Sequence, residues 1–322
     1  IFVCYAGLTK EILIYCKEMD VTISEFKDER TKFSLKKEEN ELRSYFDPKF
    51  KYVEHQIRAL NAMLKTTTGI IKATTSAGKS SIMSAYIRTT GMPTLIIVDK
   101  VTLAGQIQKK LISDGIDCGI CSGQGYKTGF CIVSTINSVK KIGDLTRYQC
   151  LISDEVHKAS SRNFQEFLCS VSYPYKFAFS ATPYNGSAYK FALIRQFFGS
   201  IIEEINADEL MENEVIAIPD INFIPIECKQ TMDWQSAYEL AIVYNKERNN
   251  KIVELVKKAE TDGLQTLVLI RIIEHGECLK ELLPGAVFVN GKDTSPKERL
   301  RVIEEFDKGN IRTIISSNIF NE

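Results

Sequence analysis

The chain has 322 residues, 44% apolar and 25% charged, which fits two or three globular domains and excludes a disordered chain or a fibre. Lys and Arg total 41, as do Asp and Glu, so the net charge is zero; this excludes a polybasic binder but not a locally basic groove. No apolar run approaches the ~18 residues that span a bilayer, and nine scattered cysteines without a secretory signal point to a reducing cytoplasm. With no initiator Met and no terminal signal after Glu322, the chain reads as a segment of a longer protein.

Residues 1–47 differ from the rest. Leu8 to Cys16 has helical apolar spacing, Val21 to Phe26 alternates like a strand, and 27–44 is a dense Lys/Glu stretch that reads as a solvated linker or a charge-paired helix. This is the expected remnant of an N-terminal α+β module. From about residue 50, short apolar runs alternate with helical stretches. Strands are expected at Gly69–Ala73, Thr94–Val98, Phe130–Ser134, Cys150–Ser153 and Phe177–Ser180, and helices at Lys79–Thr89, Leu103–Ser113 and Asn163–Val171. That rhythm implies a parallel sheet covered on both faces, with ligands at the strand C-termini. Residues 201–233 break it and read as an interdomain crossing, with Pro219 and Pro225 interrupting extended sequence. A second, shorter set follows: strands Thr266–Ile270, Ala286–Val289 and Arg312–Ser316, and helices Glu274–Leu283 and Ser295–Lys308, the last with Ser295 as N-cap and Pro296 in its first turn. The expected fold is α/β with two parallel-sheet lobes, the second incomplete. Expected domains are 1–47, 48–208, a crossing at 209–233, and 234–322.

Ala73-Thr-Thr-Ser-Ala-Gly-Lys-Ser80 follows an apolar strand and opens a helix, a phosphate-loop pattern with Ala at the first Gly position. Gly78 lets the backbone approach phosphates, and the amides of Thr75, Ser76, Ala77 and Gly78, continuing to Ser80 and Ser81, present partial positive charge. Lys79 would neutralise β- and γ-phosphates, and the Ser80 hydroxyl can ligate Mg²⁺. The bland alternative is a Ser/Thr-rich turn with a solvated Lys79. About 75 residues on, Cys150–Ser153 ends in Asp154-Glu155-Val156-His157. Asp154 could hold Mg²⁺ and Glu155 could orient or deprotonate water; as an alternative, the two acids merely favour a helix start. Cys118-Gly-Ile-Cys121 has the spacing of a redox pair or half a zinc site. No second pair accompanies it and Gly-rich sequence, not a helix, follows, so a structural reading is preferred.

Ala73–Ser80, Asp154–His157 and Ser180-Ala-Thr-Pro183, in this order, resemble superfamily 2 helicases of the DExH class. His55-Gln56 resembles the glutamine motif, Leu95–Val98 with Thr102–Ala104 and Gln106 motif Ia, and Ile132–Thr135 the Ib/Ic strand. Thr266–Leu283 resembles motif IV, Val289–Lys292 motif IVa, and Thr313–Glu322 the start of motif V. Within the superfamily, the layout and the Thr75–Ser80 variant are similar to UvsW-type bacteriophage branch-migration helicases. The resemblance implies two RecA-like lobes clamping ATP and Mg²⁺. Lys79, Asp154, Glu155 and His157 would be catalytic, and Gln56 would read adenine. Ser180 and Thr182 would couple nucleotide to DNA, and Thr102, Thr135, Arg271 and His275 would contact nucleic acid. Gln56, Thr135, Arg271 and His275 also have plainer readings, as a helix-surface residue, a helix N-cap and a surface pair.

The expected function is an ATP-driven DNA helicase or translocase that remodels forks and junctions in DNA repair and recombination. It would act in the cytoplasm, the host's if phage-encoded, with no membrane partner; its oligomeric state is left open, with a monomer favoured. Alternatives are a nucleotide-gated nucleic-acid clamp without motor activity and a restriction-type translocase subunit. The chain ends inside motif V, before the arginine of motif VI, so as given it is expected to bind ATP weakly and hydrolyse it poorly. Asp99 stands where Pro is common in motif Ia.

Overall fold

The computed structural model describes residues 8–23, 39–49, 52–123, 125–156, 161–184, 186–227 and 238–317. The chain divides into two compact units, Ile1–Pro219 and Asp220–Glu322.

The first unit is built on an eight-stranded sheet. In chain order its strands are β1 (Thr68–Ala73), β2 (Thr94–Val98), β3 (Cys118–Ser122), β4 (Gly125–Lys127), β5 (Cys131–Thr135), β6 (Cys150–Ser153), β7 (Tyr175–Ser180) and β8 (Ile201–Ile205). They lie side by side in the order β4-β3-β5-β2-β6-β7-β1-β8. All neighbours are parallel except the β3–β4 hairpin. The helices are α1 (Thr9–Glu18), α2 (Glu39–Arg43), α3 (Glu54–Lys65), α4 (Lys79–Thr90), α5 (Val101–Ser113), α6 (Arg162–Ser170), α7 (Ala188–Phe198) and α8 (Ala207–Glu212).

The central strands are continuous apolar runs because both their faces are covered. Every residue of β2 is buried. Ile96 and Val98 join one core with Val133, Ile152, Phe177 and Phe179. Leu95 and Ile97 join the opposite core with Ile132, Leu151 and Ala178. This two-residue alternation fixes the register and brings the strand C-termini to a common edge.

Two expectations are corrected, and the structural reading of the Cys118–Cys121 pair is supported. Residues 21–23 are not a strand, and 24–26 lie outside the described residues. The crossing does not begin at 201: β8 pairs with β1, and α8 follows it. Cys118 and Cys121 belong to a strand. Three residues apart, they face opposite sides, Cys118 in one core and Cys121 in the other. Burial pushes the Cys118 thiol up to about 12. A shared metal or a redox pair is incompatible with that placement.

The second unit has a three-stranded parallel sheet, β9 (Thr266–Leu269), β10 (Val287–Val289) and β11 (Thr313–Ser316), in the order β10-β11-β9. Its helices are α9 (Lys246–Thr261), α10 (Ile273–Leu282) and α11 (Pro296–Asp307), preceded by a π-helical turn at Glu239–Val243. Val256, Ile270, Leu279, Leu283, Ala286 and Ile315 form its core. Ser295 caps α11: its hydroxyl accepts from the Glu298 N–H while the Glu298 carboxylate accepts from the Ser295 N–H, a complete capping box.

Candidate nucleotide site

The site grows from the C-terminal ends of β1, β7 and β6, which are neighbours in that order. After β1 the chain turns through Ser76 (φ 67) and Gly78 (φ 76), both left-handed. Such a turn points successive N–H groups inward and favours an anion. The helix α4 starts at Lys79 with Gly78 as its N-cap and no side chain capping it. Its first-turn amides and its dipole therefore face the loop without a competing side-chain acceptor. Thr75 and Ser76 are exposed, Ala77 is buried, and Ser80 and Ser81 are half-buried in the first turn of α4.

The strand β6 delivers the acidic pair. The Asp154 N–H donates to the Ile97 carbonyl at 2.9 Å, extending the β2–β6 ladder by one rung. The Asp154 carboxylate is buried. Burial pushes it up to about 6; Glu155 and Asp99 add to this and Lys79 opposes it. Glu155 has a left-handed backbone (φ 49), and its N–H donates to Asp154 Oδ1 at 3.0 Å. Its side chain meets Lys79, with Nζ 3.0 Å from Oε1.

Between these strands, Ala178 of β7 pairs with Ile70 on one side and Ser153 on the other. Two residues later, Ser180 pairs with Lys72 at the sheet edge between the loop and the acidic pair. Ser180 is fully buried, and its hydroxyl accepts from the Thr182 N–H at 3.1 Å. Thr182 is exposed.

The helix α3 closes the other side of the loop. Gln56 Nε2 donates to the Ala77 carbonyl at 3.4 Å, and His55 Nε2 lies 3.2 Å from the same oxygen. Gly78 is compact by necessity, since a Cβ there would stand 2.2 Å from Gln56 Nε2.

The oxygen donors fit a hard cation: the Ser80 hydroxyl and the Asp154 carboxylate suit Mg²⁺, which keeps most of its waters. Among the described residues, no group of three or more His, Cys, Asp and Glu could hold a metal by itself. A metal held jointly with phosphates is the arrangement these few donors match.

Thr102 and Thr135 stand on other elements of the first unit. Thr102 is exposed in the first turn of α5, and Thr135 ends β5 and is buried. His157 lies outside the described residues. In the second unit, Arg271 is exposed after β9. His275 is corrected: it is buried in α10, with Nε2 2.9 Å from Asn249 Oδ1, and is a packing residue rather than a surface contact. Burial, helped by Arg248, pulls its pKa down to about 4, so the ring is neutral.

Residues 49–185 match the family described as type III restriction enzyme, res subunit. That span holds the loop, the acidic pair, Gln56 and the Ser180–Pro183 segment. In this the chain resembles superfamily 2 helicases. Its relatives include the DNA 3'-5' translocase XPB2 of Sulfurisphaera tokodaii, 22% identical over 359 residues that cover 97% of this chain and 79% of that protein. Among solved structures, the helicase fold is shared with bacteriophage T4 UvsW (18% identity, 97% of this chain and 67% of that one, TM-score 0.51). It is also shared with S. cerevisiae Dbp5 bound to RNA and ADP BeF3 (16% identity, 82% and 70%, TM-score 0.59). These likenesses carry the fold of the helicase, RecA-like parallel sheets, and its relatives imply ATP-dependent hydrolase activity. No helix among its described residues is long and apolar enough to cross a membrane.

Proposed function

We propose that this protein couples ATP hydrolysis to movement along DNA and remodels forked or four-way junctions. One observation carries the reading: Lys79 and Glu155 meet at 3.0 Å where the phosphate loop and the acidic pair share a sheet edge. Phosphoryl transfer needs positioning and charge neutralisation more than covalent help, and these groups are placed for both. The loop amides and the Lys79 ammonium bind phosphates, and Gln56 reads adenine. Ser80 and Asp154 hold Mg²⁺, which when bound neutralises phosphate charge. Glu155 orients and deprotonates the attacking water, and Ser180 and Thr182 link this edge to the nucleic-acid groove. Thr102, Thr135 and Arg271 contact the nucleic-acid backbone without reading sequence.

DNA is favoured because a relative across nearly the whole chain is named a DNA translocase; the same fold occurs with RNA in Dbp5. Junction remodelling, with a place in repair and recombination and in the cytoplasm of a phage-infected host, follows the resemblance to UvsW-type helicases. In domain terms, 48–208 is the ATP-binding lobe and 234–322 part of a second, joined by 209–233, acting as a monomer. The test is gel-resolved processing of a labelled four-way DNA junction with ATP. Conversion by wild type and none by Lys79→Ala supports the reading. Conversion that persists without ATP refutes it.

A further inference from the structure

The Ala77 carbonyl has two side-chain neighbours from α3. Gln56 is 3.4 Å away and His55 is nearer, at 3.2 Å. The His55 ring is fully buried, and its other nitrogen, Nδ1, has no hydrogen-bond partner. A carbonyl only accepts, so the proton must sit on Nε2 and leave Nδ1 bare. Burial lowers the His55 pKa, which agrees with a neutral ring carrying one proton.

The ring's position is set by a chain of contacts. Tyr52 stacks on it, with centroids 5.4 Å apart and planes 21° apart. The Tyr52 hydroxyl donates to Glu209 Oε1 at 2.6 Å. Arg58 grips both oxygens of Glu209 at 2.9 Å and also donates to Glu203 at 3.0 Å. The imidazole is therefore braced from α8 and β8 before it reaches the loop.

A trans peptide points its C=O and N–H in opposite directions. Fixing the Ala77 oxygen toward α3 thus fixes the Gly78 N–H away from α3. We infer that His55, braced by Tyr52, is a positioning residue of the phosphate loop: its Nε2–H holds the Ala77–Gly78 peptide in the orientation that presents the Gly78 amide to a nucleotide phosphate. This rests on the nucleotide reading of the loop. It also gives Gln56 freedom, because a second donor keeps the carbonyl in place when Gln56 turns to a base.

The test compares His55→Leu, His55→Gln and His55→Asn in the full chain, with Lys79→Ala alongside. Gln carries an amide near the Nε2 position and Asn one near Nδ1. Affinity for a fluorescent ADP analogue is read at equilibrium, together with the thermal midpoint without nucleotide. Leu and Asn should weaken binding about three- to tenfold, the range for one lost hydrogen bond, and Gln should restore it to within about twofold of wild type. Equal affinity in all three variants overturns the inference, as does equal weakening with no recovery by Gln. Unchanged affinity in Lys79→Ala overturns the nucleotide reading itself, whatever the His55 variants do.

Discussion

Lys79 and Glu155 are 76 positions apart in the chain, yet Nζ of one lies 3.0 Å from Oε1 of the other. Lys79 is 12% exposed and Glu155 29%, so water screens their pair less than it would a surface pair. The strand order β1-β7-β6 makes this meeting possible, because one strand separates the two outgoing ends.

Replacing Glu155 by Gln keeps the side chain's size and releases Lys79 from its carboxylate. Nucleotide affinity should hold or rise, while turnover falls by about 10²- to 10⁴-fold, the range for a lost general base. Lys79→Ala should lose both. Fluorescent-nucleotide titration and phosphate-release kinetics separate the two patterns, and a Glu155→Gln variant with wild-type turnover would remove Glu155 from the chemistry.

Gly78→Ala meets two obstacles. A left-handed φ of 76 costs a Cβ-bearing residue about 1–2 kcal/mol, and the new methyl would displace Gln56, whose Nε2 stands 2.2 Å from it. The Gln56 end is flexible, so the second cost is its loss from the loop rather than unfolding. In a double-mutant cycle, Gln56→Ala should add little to Gly78→Ala in nucleotide affinity. Full additivity would mean that the two do not touch.

His275 makes stability depend on pH. Its folded pKa of about 4 lies below the ordinary 6.5, so the folded state resists the proton. The stability from the neutral ring is fully present above pH 6.5 and is lost as pH falls from 6.5 through about 4. A shift of this size corresponds to about 3 kcal/mol. Thermal melts of wild type and His275→Gln from pH 7.5 to 4.5 should show the wild type losing more on acidification. Parallel curves would show that the ring is not held neutral.

Much of the fold was legible because the central strands have to be apolar on both faces. Thr94–Val98 and Cys150–Ser153 match their sequence-expected bounds, since nothing else accommodates such short unbroken runs. Other elements carried weaker signals. In β3, Gly119 sits so close to the backbone of Lys127 and Thr128 that no Cβ fits, and a Gly between two cysteines carries no strand signal of its own. The strand β8 has the sequence Ile-Ile-Glu-Glu-Ile at the sheet edge, where its carboxylates reach Arg58 and Lys72 across space. Only that tertiary pairing makes it a strand. At the site, the loop and the acids were readable from spacing. The contact of His55 with Ala77 was not, because a separation of 22 positions leaves no local signal for it. The burial of His275 was equally hidden: Asn249 comes from another helix, and one charged-looking position in α10 does not reveal which face turns inward.

Ser295 tests the second unit. Its hydroxyl and the Glu298 carboxylate cap α11 reciprocally. Ser295→Ala should lower stability by about 1 kcal/mol, within the 0.5–2 kcal/mol range for N-caps, and Ser295→Asp should recover most of it. Urea denaturation measures both, and an unchanged midpoint for the Ala variant would show that the box contributes nothing.

The most direct measurement is steady-state ATP hydrolysis by the full-length protein with and without a four-way DNA junction, wild type beside Glu155→Gln. Turnover stimulated by the junction in wild type and absent in the variant is the predicted result. Hydrolysis indifferent to DNA, or surviving the loss of the Glu155 carboxylate, would contradict a motor built on this sheet edge.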